Sequence, residues 1–197
     1  LDVELDSIGG DLRQVHLLKH GAVGHPNQPL QLFDEGKKHL YLAQTGLIGA
    51  DLPDHYFHYT AQAGQLQLAP GQNEVKAEFR ATTPSGLTVL KTLTFTRGSY
   101  LVKVAYQIEN RTAKAINARA YFRLLRDDQS PEQESSMVST FTGPVQFTDE
   151  QKYNKFDFES VAKGEAEYVK KPTDDWIAMV QHYFVAAWLL NQPNSQS

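Results

Sequence analysis

Seven histidines and a scatter of paired carboxylates are the residues of this sequence that could do chemistry. His16 and His20 stand four apart, the spacing that puts two imidazoles on one face of a helix. Zinc sites built that way carry a Glu directly after the first His, and Leu17 stands there. Val15 and Leu17 also alternate with polar neighbours, which makes this a strand, where a spacing of four has no such meaning. His55 and His58 bracket Tyr56 and Phe57 beside Asp51 and Asp54, a group that could hold a cation but reads first as an aromatic-rich loop. Asp149-Glu150, Asp157-Glu159 and Asp174-Asp175 supply acids in pairs. Glycoside chemistry needs two carboxyls about 5 to 10 Å apart in a cleft, and the default for these is a solvated turn. There is no Gly-x-Ser-x-Gly elbow, phosphate-binding glycine loop or dinucleotide fingerprint. The residues therefore predict no catalytic group, no metal and no cofactor.

Binding chemistry is better supplied. Phe141, Phe147, Tyr153, Phe156, Tyr183 and Trp188, with Phe158, Tyr168, Trp176 and Phe184, crowd into residues 141–188. Aromatic side chains dominate both cores and interfaces. Most must be core; a minority displayed on a sheet face would form a platform for a sugar, an apolar chain segment or another protein.

The elements that would position them are strands. Val75, Ala77, Phe79 and Ala81 interleave with Glu74, Lys76, Glu78 and Arg80, the period of two of a strand with one wet face. Leu87, Val89, Leu93 and Phe95 share the next apolar face, with Lys91 as its one exception. Pro84-Ser85-Gly86 supplies the turn between these two strands. A third runs 100–109, and a fourth carries Ile116, Ala118, Ala120, Phe122 and Leu124 on one side. Such short connections predict an antiparallel meander over 74–125. Earlier, 3–8, 12–18, 30–33, 41–45, 56–60 and 65–68 read as short strands between Gly, Pro and Asn clusters, with Gly9-Gly10-Asp11 the sharpest turn. Strands at this spacing argue for a sandwich or barrel. Residues 127–136 are polar, contain Pro131 and read as a long loop. Segment 176–190 is long enough for a helix, but the β character of the rest favours strands.

Composition bounds the class. The sequence has 197 residues, 19 basic and 23 acidic, for a net charge of −4, and lacks the basic excess of a nucleic-acid binder. It has no cysteine, which excludes disulfides, thiolate zinc sites and thiol catalysis. Its longest apolar run, 184–190, is far short of the roughly 20 residues that cross a bilayer. It opens without Met or a visible targeting signal, so either such a signal was removed or this is a fragment. From the residues alone this is a soluble, acidic, mainly β binding or scaffold domain.

Seven strings in order resemble the large periplasmic domain of the YidC family of membrane protein insertases of Gram-negative bacteria. They are IGGDLRQ at 8–14, QPLQLF at 28–33, YLAQTGLIG at 41–49, PGQNEV at 70–75, KTLTFTRGSYLVKVAYQIEN at 91–110, FTGPVQFTDEQKYNKFDF at 141–158 and DWIAMVQHYFVAAW at 175–188. The resemblance implies an antiparallel β-supersandwich of the galactose-mutarotase-like class with few short helices. It would be a single domain over 1–190, truncated at its C-terminal side, followed by a polar tail at 191–197. Where the family continues with Ile-Pro, Leu189-Leu190 stand here, and the family's domain runs on with further strands and a helix. The hydrophilic groove that accepts substrate helices belongs to the family's membrane core. This piece is therefore expected to be non-catalytic, on the periplasmic face of the inner membrane. Its implied partners are Sec translocon components, notably SecDF, and, through the parent protein, nascent membrane proteins. Phe141, Phe147, Tyr153, Phe156, Tyr183 and Trp188 are the expected contact residues. The implied fold also raises two rivals. One is a sugar-binding relic or enzyme of the mutarotase-like class, for which His182 is the nearest acid but has no identified Glu partner. The other is a holdase for apolar segments.

Overall fold

The computed structural model describes residues 1–22, 24–36, 39–61, 64–129, 140–170, 175–181 and 183–190. They are mainly β, every strand pairing for which a register is given is antiparallel, and the described residues contain one short helix. The chain divides into two compact units, one of Leu1–Ala22 and Pro26–Leu125, the other of Val23–His25 and Arg126–Ser197.

Two sheets build the first unit. One holds β1 (Asp2–Leu5), β2 (Leu12–Ala22), β3 (His25–Glu35), β4 (Leu40–Ile48) and β9 (Arg119–Arg126), in the order β1-β2-β3-β4-β9 with an added β2–β4 pairing. The other holds β5 (Thr60–Ala61), β6 (Glu74–Thr82), β7 (Leu87–Thr96) and β8 (Val102–Asn110) in chain order. The apolar positions of β6 and β7 point inward as their alternation requires: Ala77, Phe79, Ala81, Leu87, Val89 and Leu93 are buried. Val15, Leu17, Phe33, Tyr41, Leu42 and Leu47 are the buried side chains of the first sheet. Phe33 and Tyr41 meet edge to face at 4.8 Å.

Lys91, the exception in the apolar pattern of β7, is as buried as its neighbours, with 1% of its side chain exposed. Its ammonium has three hydrogens and three acceptors: Gly9 O at 2.7 Å, Asp11 Oδ1 at 2.8 Å and Thr45 O at 3.2 Å. Thr45 N also donates to Asp11 Oδ1, at 3.3 Å. The Gly9-Gly10 turn makes this possible. Both residues have φ in the left-handed region, +73° and +63°, and a Cβ on Gly9 would lie 2.5 Å from Asp11 Oδ2. The Tyr106 ring lies 5.7 Å from the ammonium, and its hydroxyl donates to Thr45 Oγ1 at 3.4 Å.

Several expectations are corrected here. The fourth strand of the supposed meander begins at Arg119 and lies beside β4 in the other sheet, not beside β8. Alternation assigns a strand's faces and is silent about its neighbour. The eight residues after β8 form no strand, and the chain crosses to the other sheet, where Thr45 Oγ1 donates to Tyr121 O at 2.7 Å. Residues 65–68 form no strand either, and Leu66 is 42% exposed. Segment 56–60 is mostly turn, contributing only Thr60 to β5 and an isolated bridge from His58 to Ile8. The 3–8 strand ends at Leu5, whereas β2 and β3 are extended mostly by exposed residues and β4 by the buried Gly46 and Leu47 and the exposed Ile48. Most of the expected 127–136 loop lies outside the described residues.

The second unit holds one sheet, in the order β11-β10-β12-β13, from β10 (Gly143–Thr148), β11 (Lys152–Lys155), β12 (Asp175–Gln181) and β13 (Phe184–Leu189). Segment 176–190 is thus a hairpin, as its β-branched and aromatic residues favour. Helix α1 (Phe158–Lys163) starts where the Asp157 carboxylate accepts from Ser160 N at 2.7 Å and stops at Gly164, which has φ +71°.

Burial raises the Tyr59 and Tyr106 hydroxyls above the ordinary tyrosine value of 10.0, the nearby Asp11 charge adding to the effect. A raised folded value contributes stability that is complete below about pH 10 and lost as pH climbs past it. Burial lowers Lys91, against the opposing pull of Asp11, so its own contribution rises with pH up to the ordinary lysine value of 10.5. The tyrosines therefore set the alkaline limit. Following phenolate absorbance and circular dichroism together above pH 10, we expect part of the signal from the nine tyrosines to appear only as ellipticity is lost. Complete ionisation with unchanged ellipticity would contradict the burial argument.

Candidate interaction surface

In the second unit, register decides which aromatic residues share a face. Phe147 pairs with Tyr153 across β10–β11 and with Trp176 across β10–β12, and Trp176 pairs with Leu189 across β12–β13. Directly opposite residues point to the same side of a sheet, so Tyr153, Phe147, Trp176 and Leu189 form one row across all four strands. The Phe147 and Trp176 rings stack at 5.5 Å with planes 3° apart, and Tyr153 leans on Trp176 at 6.1 Å. Stacked pairs of this kind contribute about 0.5–1.5 kcal/mol beyond the area they bury. Two residues along on the same face, Val145 and Ala178 are each 2% exposed and give the row packed neighbours. The ends of the row are open: Tyr153 is 46% and Leu189 55% exposed.

Two lysines flank it. Lys152 Nζ lies 6.0 Å from the Phe147 ring, and Lys155 Nζ lies 4.9 Å from Phe141 and 5.9 Å from Tyr153. An ammonium over a ring face is held by the ring quadrupole. The result is an apolar, aromatic strip with positive charge along one border, able to bury an apolar partner surface and to meet an acidic one.

The six expected contact residues are therefore divided. Phe147 and Tyr153 lie in the row, and Phe141 joins it through Lys155. Phe156 sits beside β10, where its N–H donates to Pro144 O at 3.0 Å. Gly143 permits that approach, since a Cβ there would stand 2.7 Å from Phe156 O and 2.8 Å from the Phe141 ring. Trp188 pairs with Ile177 and so points to the opposite face, the one carrying Gln146. There the Gln146 amide both donates to and accepts from the Val169 backbone, each at 3.0 Å. Tyr183 is exposed in the turn before β13. Trp176, Leu189, Lys152 and Lys155 were not among the expected contacts. The shared parity of 145, 147 and 176, 178 was the available signal, but it names a face only once the register between strands is known.

The candidate chemical residues are occupied elsewhere. His16 lies on β2 opposite Asp2, and His20 packs on Tyr100 at 5.8 Å. Among the described residues no three His, Asp or Glu side chains come together as a metal would require. His55 lies between Arg123 Nη1, 3.2 Å from its Nε2, and the Tyr121 hydroxyl, close to its Nδ1. A guanidinium can only donate, so Nε2 accepts and Nδ1 carries the proton. Tyr121 reaches His55 because position 46 is glycine; a Cβ there would lie 2.5 Å from its hydroxyl oxygen. Asp51 and Asp54 each accept a backbone N–H at 2.8 Å, from Ser85 and Tyr56. The Ser85 contacts hold Asp51 below the ordinary carboxylate value. Asp157 is lowered mainly by its bond from Ser160 N, and Glu159 pairs with Lys163 one turn on. Asp149 faces Lys152 at 3.8 Å. Asp174 and His182 lie outside the described residues. The described ones cap turns, pair charges or pack on neighbouring rings.

The comparisons with known proteins bear on the whole sequence. The family model for the YidC periplasmic domain matches residues 1–197. A protein named membrane protein insertase YidC from Laribacter hongkongensis is 42% identical over 196 residues, 98% of this chain and 36% of that protein. Proteins of the same name from Aromatoleum aromaticum and Dechloromonas aromatica are each 44% identical, over 94% and 96% of this chain and 34% of their own lengths. The chain thus spans about a third of the length of the curated relatives it matches. A family match from the first residue to the last, carried by strands whose register builds the surface above, makes this chain a member of the YidC periplasmic domain family.

Proposed function

We propose that this domain is a non-catalytic contact platform of a membrane protein insertase, on the periplasmic face of the inner membrane. In this reading the strip of Tyr153, Phe147, Trp176 and Leu189 meets an accessory component of the Sec translocon, SecDF, during insertion and assembly of membrane proteins. The observation that carries it is the half-open aromatic row with Lys152 and Lys155 on its border. Aromatic anchors in a packed setting are the side chains that concentrate binding energy at protein interfaces. Val145 and Ala178 hold the row in place, so a partner would meet preordered rings and lose little of its affinity to ordering them. The chemical residues favour the same reading, because Asp51, Asp54 and Asp157 serve turns or a helix cap, and Asp149 and Glu159 face lysines.

The platform is tested in the parent insertase by co-purification with SecDF. Tyr153→Ser combined with Leu189→Ser removes exposed apolar groups from both ends of the row without touching the buried Val145 and Ala178. We expect recovery of SecDF to fall about tenfold, the loss of roughly 1.4 kcal/mol of contact energy. Tyr183→Ser, away from the row, should leave recovery unchanged. Equal recovery with the double variant and the wild type would sink the proposal.

A further inference from the structure

A second exposed surface lies in the first unit, at the turn between β7 and β8. Tyr100 and Leu101 are 52% and 54% exposed at its tip. Gly98 within the turn has φ +74°, and a Cβ there would meet nothing within 4 Å, so the turn projects into open space. The Tyr100 ring packs on His20 of β2, and two residues before His20 on the same strand Leu18 is 56% exposed. Three large apolar side chains from two sheets thus stand outward at one end of this unit, where they contribute nothing to its core.

The charge around them is one-sided. In a chain of net charge −4, residues 12–33 and 79–108 contain no Asp or Glu. These are the spans that the contact between His20 and Tyr100 brings together. Lys19 and Lys103, close in sequence to Leu18 and Leu101, are exposed, as is Arg97, whose guanidinium also donates to Gln72 O at 3.0 Å and Ala69 O at 2.9 Å. The acids that register places toward this end are Asp2, opposite His16, and Glu74, which accepts from Thr96 Oγ1 at 3.3 Å.

We infer that this end of the first unit is a lipid-contact surface, with Tyr100, Leu101 and Leu18 entering the headgroup region of a bilayer and Lys19, Arg97 and Lys103 facing anionic phosphates. A tyrosine beside aliphatic side chains, bordered by cations, is the composition that settles at a membrane interface. The charge complementarity fits this occupant, since anionic headgroups attract nearby lysine and arginine and repel the more acidic remainder of this chain. The contact is weak by construction, with three cations and three apolar side chains. In a parent held at the membrane, tethering raises the effective concentration enough for a weak contact to orient the unit. The inference uses residues of the first unit alone and does not depend on the platform proposed above.

The test is co-sedimentation of the 197-residue chain with vesicles of phosphatidylethanolamine and phosphatidylglycerol at low salt, beside vesicles of phosphatidylcholine. Bound protein should be at least about fivefold higher on the anionic vesicles and should fall as salt is added. Tyr100→Ser with Leu101→Ser, and separately Lys103→Glu, should each lower it about fivefold. Both changes are at exposed positions, and unchanged circular dichroism would show that the fold persists. Equal binding to phosphatidylcholine, no binding to either, or wild-type binding by both variants would overturn the inference.

Discussion

The ion pair between Lys91 and Asp11 is the constraint on which the first unit depends. Both side chains are 1% exposed, and the ammonium ties β7 of one sheet to the Gly9-Gly10-Asp11 turn and the Thr45 carbonyl of the other. Taking two charges out of water costs several kcal/mol per ion, which an attraction at 2.8 Å recovers only when the remaining hydrogens and lone pairs are also engaged. On the lysine side this condition is met in full. The pair's value lies in alignment more than in net stability: an apolar residue at position 91 could slide against the facing sheet, whereas three directed bonds allow one arrangement. Much of the neighbouring structure follows from it, from the glycines needed at 9 and 10 to the orientation of Tyr106 and Thr45.

How much of this was legible in the sequence depended on the kind of information required. Period two was plain in β6, β7 and β8, because faces are a property of a single strand, whereas the strands of 176–190 followed only from the β character of the rest of the chain. The same pattern marked Lys91 as an exception without revealing that Asp11, 80 positions away, was its reason. Neighbours were not legible for the same cause. The strand from Arg119 has ordinary alternation, and only its interactions with Thr45 and β4 show which sheet it joins. Residues 65–68 alternate as well as some true strands do, yet they form no strand and Leu66 stands 42% exposed.

The aromatic crowding in 141–188 had a similar fate. Its density was visible; its division was not, since Trp176 and Trp188 differ only in the parity that register gives them. The two units treat their reactive side chains in opposite ways. In the first, His55, Tyr121, Lys91 and Asp11 are engaged internally and serve the fold. In the second, Val145 and Ala178 are buried beside the stacked Phe147 and Trp176 rings, while Tyr153 and Leu189 are 46% and 55% exposed.

The most direct measurement is a double-mutant cycle on the ion pair, comparing the wild type, Lys91→Met, Asp11→Asn and the combined variant by equilibrium denaturation followed by circular dichroism. Each single change strands a buried group, so each should lower stability by about 3–5 kcal/mol, and the double variant should lose clearly less than the sum. Single losses within about 0.5 kcal/mol, or losses that simply add, would contradict the account.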